Sequence, residues 1–402
     1  MRKVIALSLA LLLGTVVTQS AQADSIRDRQ YWLSDYGFTS AWESSRGEGV
    51  LVAIIDTGID PSHPALSGAV SGGTDVSGLG SSDGLTAVGA NSYHGTMVAS
   101  LLAGRGTGSD SLAGVIGAAP EAKLLSVSMA FGVDGLDTDD QLARGVIWAV
   151  DNGAQVINLS LTRNSTSWPK SWDEAFLYAF ENDVVIVAAV GNRAAGTEFI
   201  SAPATIPGVI AVAGLDREGK ASESYSLEGF SASVSAPAED LVAAYPGGEY
   251  RIWSGSSAAA PIVAGLVALI RAKYPDLNAP SVVNRVLLSA NREGIDGFST
   301  AYGYGRIDAE LALNGDFPIV SENPLGELSE WIKLYRPTQD DTEPAGEIVP
   351  PEQTQLVELQ PPGLQPGQLW WPIAGYAGVG LMAAFLYLAF RPSSRNGNQR
   401  KK

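Results

Sequence analysis

The strongest constraint on the fold is a recurring unit. A short apolar run rich in β-branched residues is followed by a stretch of helical spacing, then by another apolar run. Val50-Leu-Val-Ala-Ile-Ile55 is the first such run, and Lys123–Ser128, Val156–Leu161, Val184–Ala189 and Val209–Ala213 follow it. Runs of this length without polar alternation predict strands buried on both faces. Thr96–Ala103, Asp139–Asn152 and Trp172–Asn182 carry the apolar spacing of helices. Strands separated by helices predict an α/β fold, a mainly parallel sheet with helices on both faces. The 45 glycines suit the many tight turns of such a fold. No repeat of solenoid period is present.

The two ends of the 402-residue chain differ in character from this body. Residues 1–23 hold Arg2 and Lys3, an apolar run and Ala21-Gln22-Ala23, the pattern of a secretory signal peptide ending before Asp24. Residues 369–390 are apolar and uncharged, with Trp370 and Trp371 at their entrance. About 20 such residues cross a bilayer as one helix. The tail, 391–402, carries Arg391, Arg395, Arg400, Lys401 and Lys402, and such residues stay cytoplasmic. The expectation is a single-pass protein of the cell membrane with its bulk outside the cytoplasm. Residues 24–314 then form the folded domain, and 315–368 a proline-rich linker. Within that linker Leu328, Trp331, Ile332 and Leu334 have the spacing of one short helix against the domain.

Composition excludes several functions. The formal charge is −17, so the surface repels phosphate and nucleic acid is not an expected partner. The chain has no cysteine, which rules out disulfides, thiolate metal sites and a cysteine nucleophile.

The stretch Ser254-Gly-Ser-Ser-Ala-Ala-Ala-Pro261 opens a long apolar helix-like run and offers Ser256 and Ser257 as a helix cap or a nucleophile. Only two histidines, His63 and His94, could activate a serine. His63 sits in a turn between prolines. His94 stands at the mouth of a helix, after a Gly/Ser-rich loop from Ser71 to Ser92. Asp56 ends the run Val50–Ile55, and Asn192 follows the run Val184–Val190. Ligands of open α/β sheets bind outside the carboxyl ends of strands, so both are placed to meet there. Each residue alone also reads as a turn or cap residue. The order aspartate, histidine, serine is the subtilisin order of a catalytic triad.

The chain resembles the subtilisin-like serine proteases. The motifs that carry the resemblance are Ile55-Asp-Thr-Gly-Ile-Asp60, His94-Gly-Thr, Val156-Ile-Asn-Leu-Ser-Leu161, Ala188-Ala-Val-Gly-Asn192 and Gly255-Ser-Ser-Ala-Ala-Ala-Pro261. The resemblance spans roughly residues 25–314. It implies a serine endopeptidase with a triad of Asp56, His94 and Ser257, the last chosen over Ser256 by its distance from Pro261. It implies an oxyanion hole from Asn192 and the Ser257 backbone. It also implies substrate contacts from Ser160, Leu161 and Thr162 and from Ala189, Val190 and Gly191. Thr162, where relatives often have glycine, would narrow the pocket toward small or medium apolar side chains.

The layout of signal, protease domain, proline-rich spacer, membrane helix and basic tail resembles the mycosins, membrane-anchored proteases of actinobacterial type VII secretion. That implies protein or peptide substrates, a membrane partner through the C-terminal helix, and type VII secretion components as further partners. A tethered scaffold with dispensable proteolysis is the alternative. No cofactor is required. Relatives often bind calcium, but Asp75 and Asp83 match no compact loop motif, and no site is assigned. The stretch between Asp24 and the first strand leaves no room for a folded pro-domain.

Overall fold

A computed structural model describes residues 26–108, 111, 113–336, 348–349 and 356–359, all in a compact unit that runs to Leu359. The signal peptide, the membrane helix, the basic tail and about half of the expected linker lie outside the described residues.

The core is a seven-stranded sheet in the order β10-β9-β8-β6-β1-β5-β2. The strands are β1 (Leu51–Asp56), β2 (Val70–Asp75), β5 (Lys123–Ser128), β6 (Val156–Leu159), β8 (Val185–Ala189), β9 (Ile210–Leu215) and β10 (Val234–Pro237). Every pairing among them is parallel. Alternate residues of one strand enter two different cores, as a sheet covered on both faces demands. On β1, Val52 and Ile54 join the core beneath the helices His94–Ala103 and Ser256–Lys273. Ala53 and Ile55 join the opposite core, with the helices Thr138–Asp151 and Lys170–Glu181. The first of those two begins under a side-chain cap, where Asp137 accepts from the Asp139 and Asp140 backbone N–H groups.

Among the described residues, seven further strands form three small sheets. β3 (Arg105–Thr107) and β4 (Ala113–Ile116) form an antiparallel pair. β11 (Leu241–Tyr245) and β12 (Glu249–Trp253) form a hairpin that leads into the Ser256 helix. β7 (Thr162–Arg163) pairs with β13 (Ile348–Val349), and β14 (Val357–Leu359) adds to β12.

The structure differs from the sequence reading at one edge of the sheet. The expected loop from Ser71 to Ser92 begins inside β2, which carries the edge of the main sheet. The segment after Asn314 carries the short helix expected there. It is Leu328–Tyr335, with Leu328 buried and the Trp331 ring 4.5 Å from that of Trp168.

The chain turns from one side of the sheet to the other at β1. It passes first to β2 and β5, then to β6, β8, β9 and β10. That reversal opens a crevice at the carboxyl ends of β1 and β6. Among the described residues one helix, Ser256–Lys273, is long and apolar enough to cross a membrane. It is buried from Ser256 to Arg271 and is the central helix of the domain.

Candidate active site

Asp56 is the last residue of β1 and His94 the first of its helix, and both are 1% exposed. His94 Nδ1 lies 2.9 Å from each carboxylate oxygen of Asp56. The Thr57 N–H donates to Asp56 Oδ1 at 2.7 Å. Thr57 Oγ1 accepts from the Gly95 N–H at 3.0 Å and donates to Ser92 O at 3.1 Å, tying the strand end to the helix mouth. The approach needs glycine at position 95, because a Cβ there would lie 2.3 Å from Gly58 O. A carboxylate facing Nδ1 fixes the proton on that nitrogen and leaves a lone pair on Nε2. Nε2 is buried and makes no hydrogen bond, to Ser257 or to any other described residue. The ring edge abuts Trp253, with centroids 5.1 Å apart.

His63 is engaged elsewhere. Its Nδ1 accepts from the Ala65 N–H at 3.1 Å, and Nε2 stands 2.9 Å from Glu249 O. Burial holds its pKa below the usual histidine range, against the opposing pull of the Glu249 carbonyl. Both ring nitrogens serve the fold.

Asn192 follows β8 and is 5% exposed. Its Oδ1 accepts from the Ser256 N–H at 2.7 Å, which fixes the amide and leaves Nδ2 as the outward donor. Ser256 Oγ accepts from the Gly191 N–H at 3.1 Å. Ser256 is therefore not the N-cap that the sequence suggested. Gly255 occupies the cap position, with no side-chain cap bond, and the Ser256 hydroxyl joins the helix to the strand end.

Pro261 breaks the hydrogen-bond ladder of this helix. The helix starts at Ser256, so Pro261 lies beyond its first turn and cannot donate to the carbonyl four residues back. That carbonyl belongs to Ser257. Ser160 Oγ donates to it instead, at 2.8 Å, and Asn158 Nδ2 donates to Ser160 Oγ at 3.0 Å. Losing this donor would leave a buried carbonyl unpaired, at a cost of about 1–3 kcal/mol. Ser160→Ala is expected to lower unfolding stability by that amount. Pro261→Ala in the same chain restores a helical N–H and recovers most of it. Denaturant unfolding of the single and double variants measures this, and an equal Ser160→Ala cost in both backgrounds would contradict it.

Most of the remaining expected contact residues bury their side chains. Leu161, Ala189 and Val190 are buried in the two cores. Thr162 is buried on β7, and Arg163 anchors that strand through Asp139, 2.9 Å from Nη2 to Oδ2. A Cβ built on Gly191 would lie 3.0 Å from Leu227, 3.2 Å from Thr197 and 3.5 Å from Thr162. These three side chains wall the space above Gly191. Leu227, Thr197 and Trp253 were not singled out from sequence, since none lies in a motif. Among the described residues no group of three or more His, Asp or Glu side chains is gathered for a metal. Asp75 spends its carboxylate on Ser77, Gly80 and Ser128.

The Peptidase S8 (Subtilase family) profile matches residues 47–305. The chain belongs to the subtilase family of serine peptidases. This subtilase is 37% identical to subtilisin DY from Bacillus licheniformis over 272 residues, 66% of this chain and 92% of that protein. It is 34% identical to mycosin-3 of Mycobacterium tuberculosis over 338 residues, 69% of this chain and 70% of that protein. Fervidolysin from Fervidobacterium pennivorans is 32% identical over 337 residues, 76% of this chain, which spans only 46% of fervidolysin. Among solved structures, the MycP3 protease from the type VII (ESX-3) secretion system superposes with a TM-score of 0.61 at 31% identity. It covers 71% of this subtilase and 88% of its own chain.

Proposed function

We propose that this subtilase is a membrane-anchored, extracytoplasmic serine endopeptidase. Its triad is Asp56, His94 and Ser257, and its substrates are exported or secretion-associated proteins. The observation that carries the reading is the buried Asp56–His94 pair, which leaves Nε2 without a partner, on a helix packed against the one that begins at Ser256. In this reading Nε2 takes the Ser257 proton as the hydroxyl attacks the carbonyl, then returns it to the leaving amine. Asp56 stabilises the transient imidazolium without taking its proton. Asn192 Nδ2 and the Ser257 N–H hold the oxyanion, aided by the positive end of the helix. Water then hydrolyses the acyl-enzyme. The apolar segment 369–390 and the basic residues after it supply the anchor and its orientation. The likeness to mycosin-3 supports a place beside a type VII secretion apparatus.

The test is a peptide library incubated with the detergent-purified chain, its cuts mapped by mass spectrometry. Internal cuts after small or medium apolar residues are expected, because Thr162, Thr197 and Leu227 crowd the space above Gly191. No internal cuts would sink the proposal. Cuts confined to large aromatic or basic residues would sink the pocket assignment.

A further inference from the structure

The segment beyond the Leu328–Tyr335 helix returns to the catalytic face at two points. Val349 of β13 stands opposite Thr162 and Ile348 opposite Arg163, in an antiparallel pair. Val357 of β14 stands opposite Ile252 and Leu359 opposite Tyr250, also antiparallel. Leu356, just before β14, packs against the main core.

Each anchor lies on a strand that leads to the site. β7 directly follows Ser160 and Leu161, and Ser160 holds the Ser257 carbonyl. β12 ends at Trp253, which abuts His94 and leads through Ser254 and Gly255 into the helix of Ser257. An extended peptide adds to a free strand edge through main-chain hydrogen bonds. At β7 that edge is already taken by the chain's own backbone.

We infer that Ile348 and Val349 are a built-in occupant of the peptide-binding edge, a piece of this chain that competes with substrate. The inference rests on the peptidase reading above. The sequence after Val349 is Pro350-Pro351-Glu-Gln-Thr-Gln355. Two consecutive prolines supply no N–H to a strand edge, so the ladder that Ile348 and Val349 begin has no donors with which to continue. The segment is therefore held rather than cut. A two-residue pairing is weak in itself. Tethering gives it a local concentration of about a millimolar, enough to compete with free peptide yet open to displacement.

The experiment compares the detergent-purified full chain with an Ile348→Pro, Val349→Pro double variant, using a soluble internally quenched peptide. Removing the donors of β13 is expected to lower KM about tenfold with kcat unchanged. A synthetic peptide of residues 346–360, added in trans, should raise the variant's KM again as a competitive inhibitor. Both chains should keep their intact mass across this segment. Equal KM values in the two chains, with no effect of the added peptide, would overturn the inference. So would a Ser257-dependent cut between Ile348 and Leu359, which would make the segment a substrate. Hydrolysis by neither chain would instead overturn the peptidase reading, and the occupant with it.

Discussion

Ser257→Ala is expected to lower kcat for peptide hydrolysis about 10⁶-fold, the loss that removal of the nucleophile causes in subtilisin. No second group can stand in for it. The neighbouring Ser256 hydroxyl is engaged by the Gly191 N–H and is buried at 0% exposure. The substitution should cost little stability. The Ser257 hydroxyl makes no hydrogen bond among the described residues, whereas its carbonyl keeps the bond from Ser160. Steady-state kinetics and a thermal melt on the same preparation separate the two effects. A loss below about tenfold in a folded variant would remove Ser257 from the mechanism.

Asp56→Asn should cost about 10⁴-fold in kcat, for a different reason. The Thr57 N–H already donates to Oδ1 at 2.7 Å, so an asparagine keeps its oxygen there and turns its NH2 toward His94 Nδ1. The ring must then accept at Nδ1 and carry its proton on Nε2. In that tautomer it cannot take the serine proton. Nitrogen-15 NMR of the His94 ring would show the exchange of tautomers, alongside the kinetic loss. A variant that lost activity with its tautomer unchanged would mean that Asp56 acts by charge alone.

The centre of this fold is legible in sequence because it obeys simple rules. Strands buried on both faces must be continuous apolar runs, so Val50–Ile55 and Val156–Leu159 stand out. In a parallel sheet all carboxyl ends share one edge, so Asp56 and Asn192 could be assigned to that edge without coordinates. The chain's two histidines left few choices of base.

What was not legible depends on partners far away in sequence. β2 reads Val-Ser-Gly-Gly-Thr-Asp and shows no alternation, because pairing with β5 and not side-chain burial makes it a strand. Ser256 looked like a cap because its other option, the Gly191 N–H, lies 65 residues back in the chain. The donor that replaces the missing N–H of Pro261 is Ser160, 97 residues from the carbonyl it serves, and no local pattern points to it. Ile348-Val349 is too short between its flanking residues to carry any period, and only its register on β7 gives it meaning.

The most direct test of the account is a fluorophosphonate probe on the detergent-purified chain, with the adduct located by peptide mass spectrometry. The probe reacts with a serine only where a base and an oxyanion site converge on it. The account predicts one stoichiometric adduct on Ser257, lost in Ser257→Ala and greatly slowed in Asp56→Asn. An unlabelled protein that is otherwise folded, or an adduct on any other serine, would contradict it.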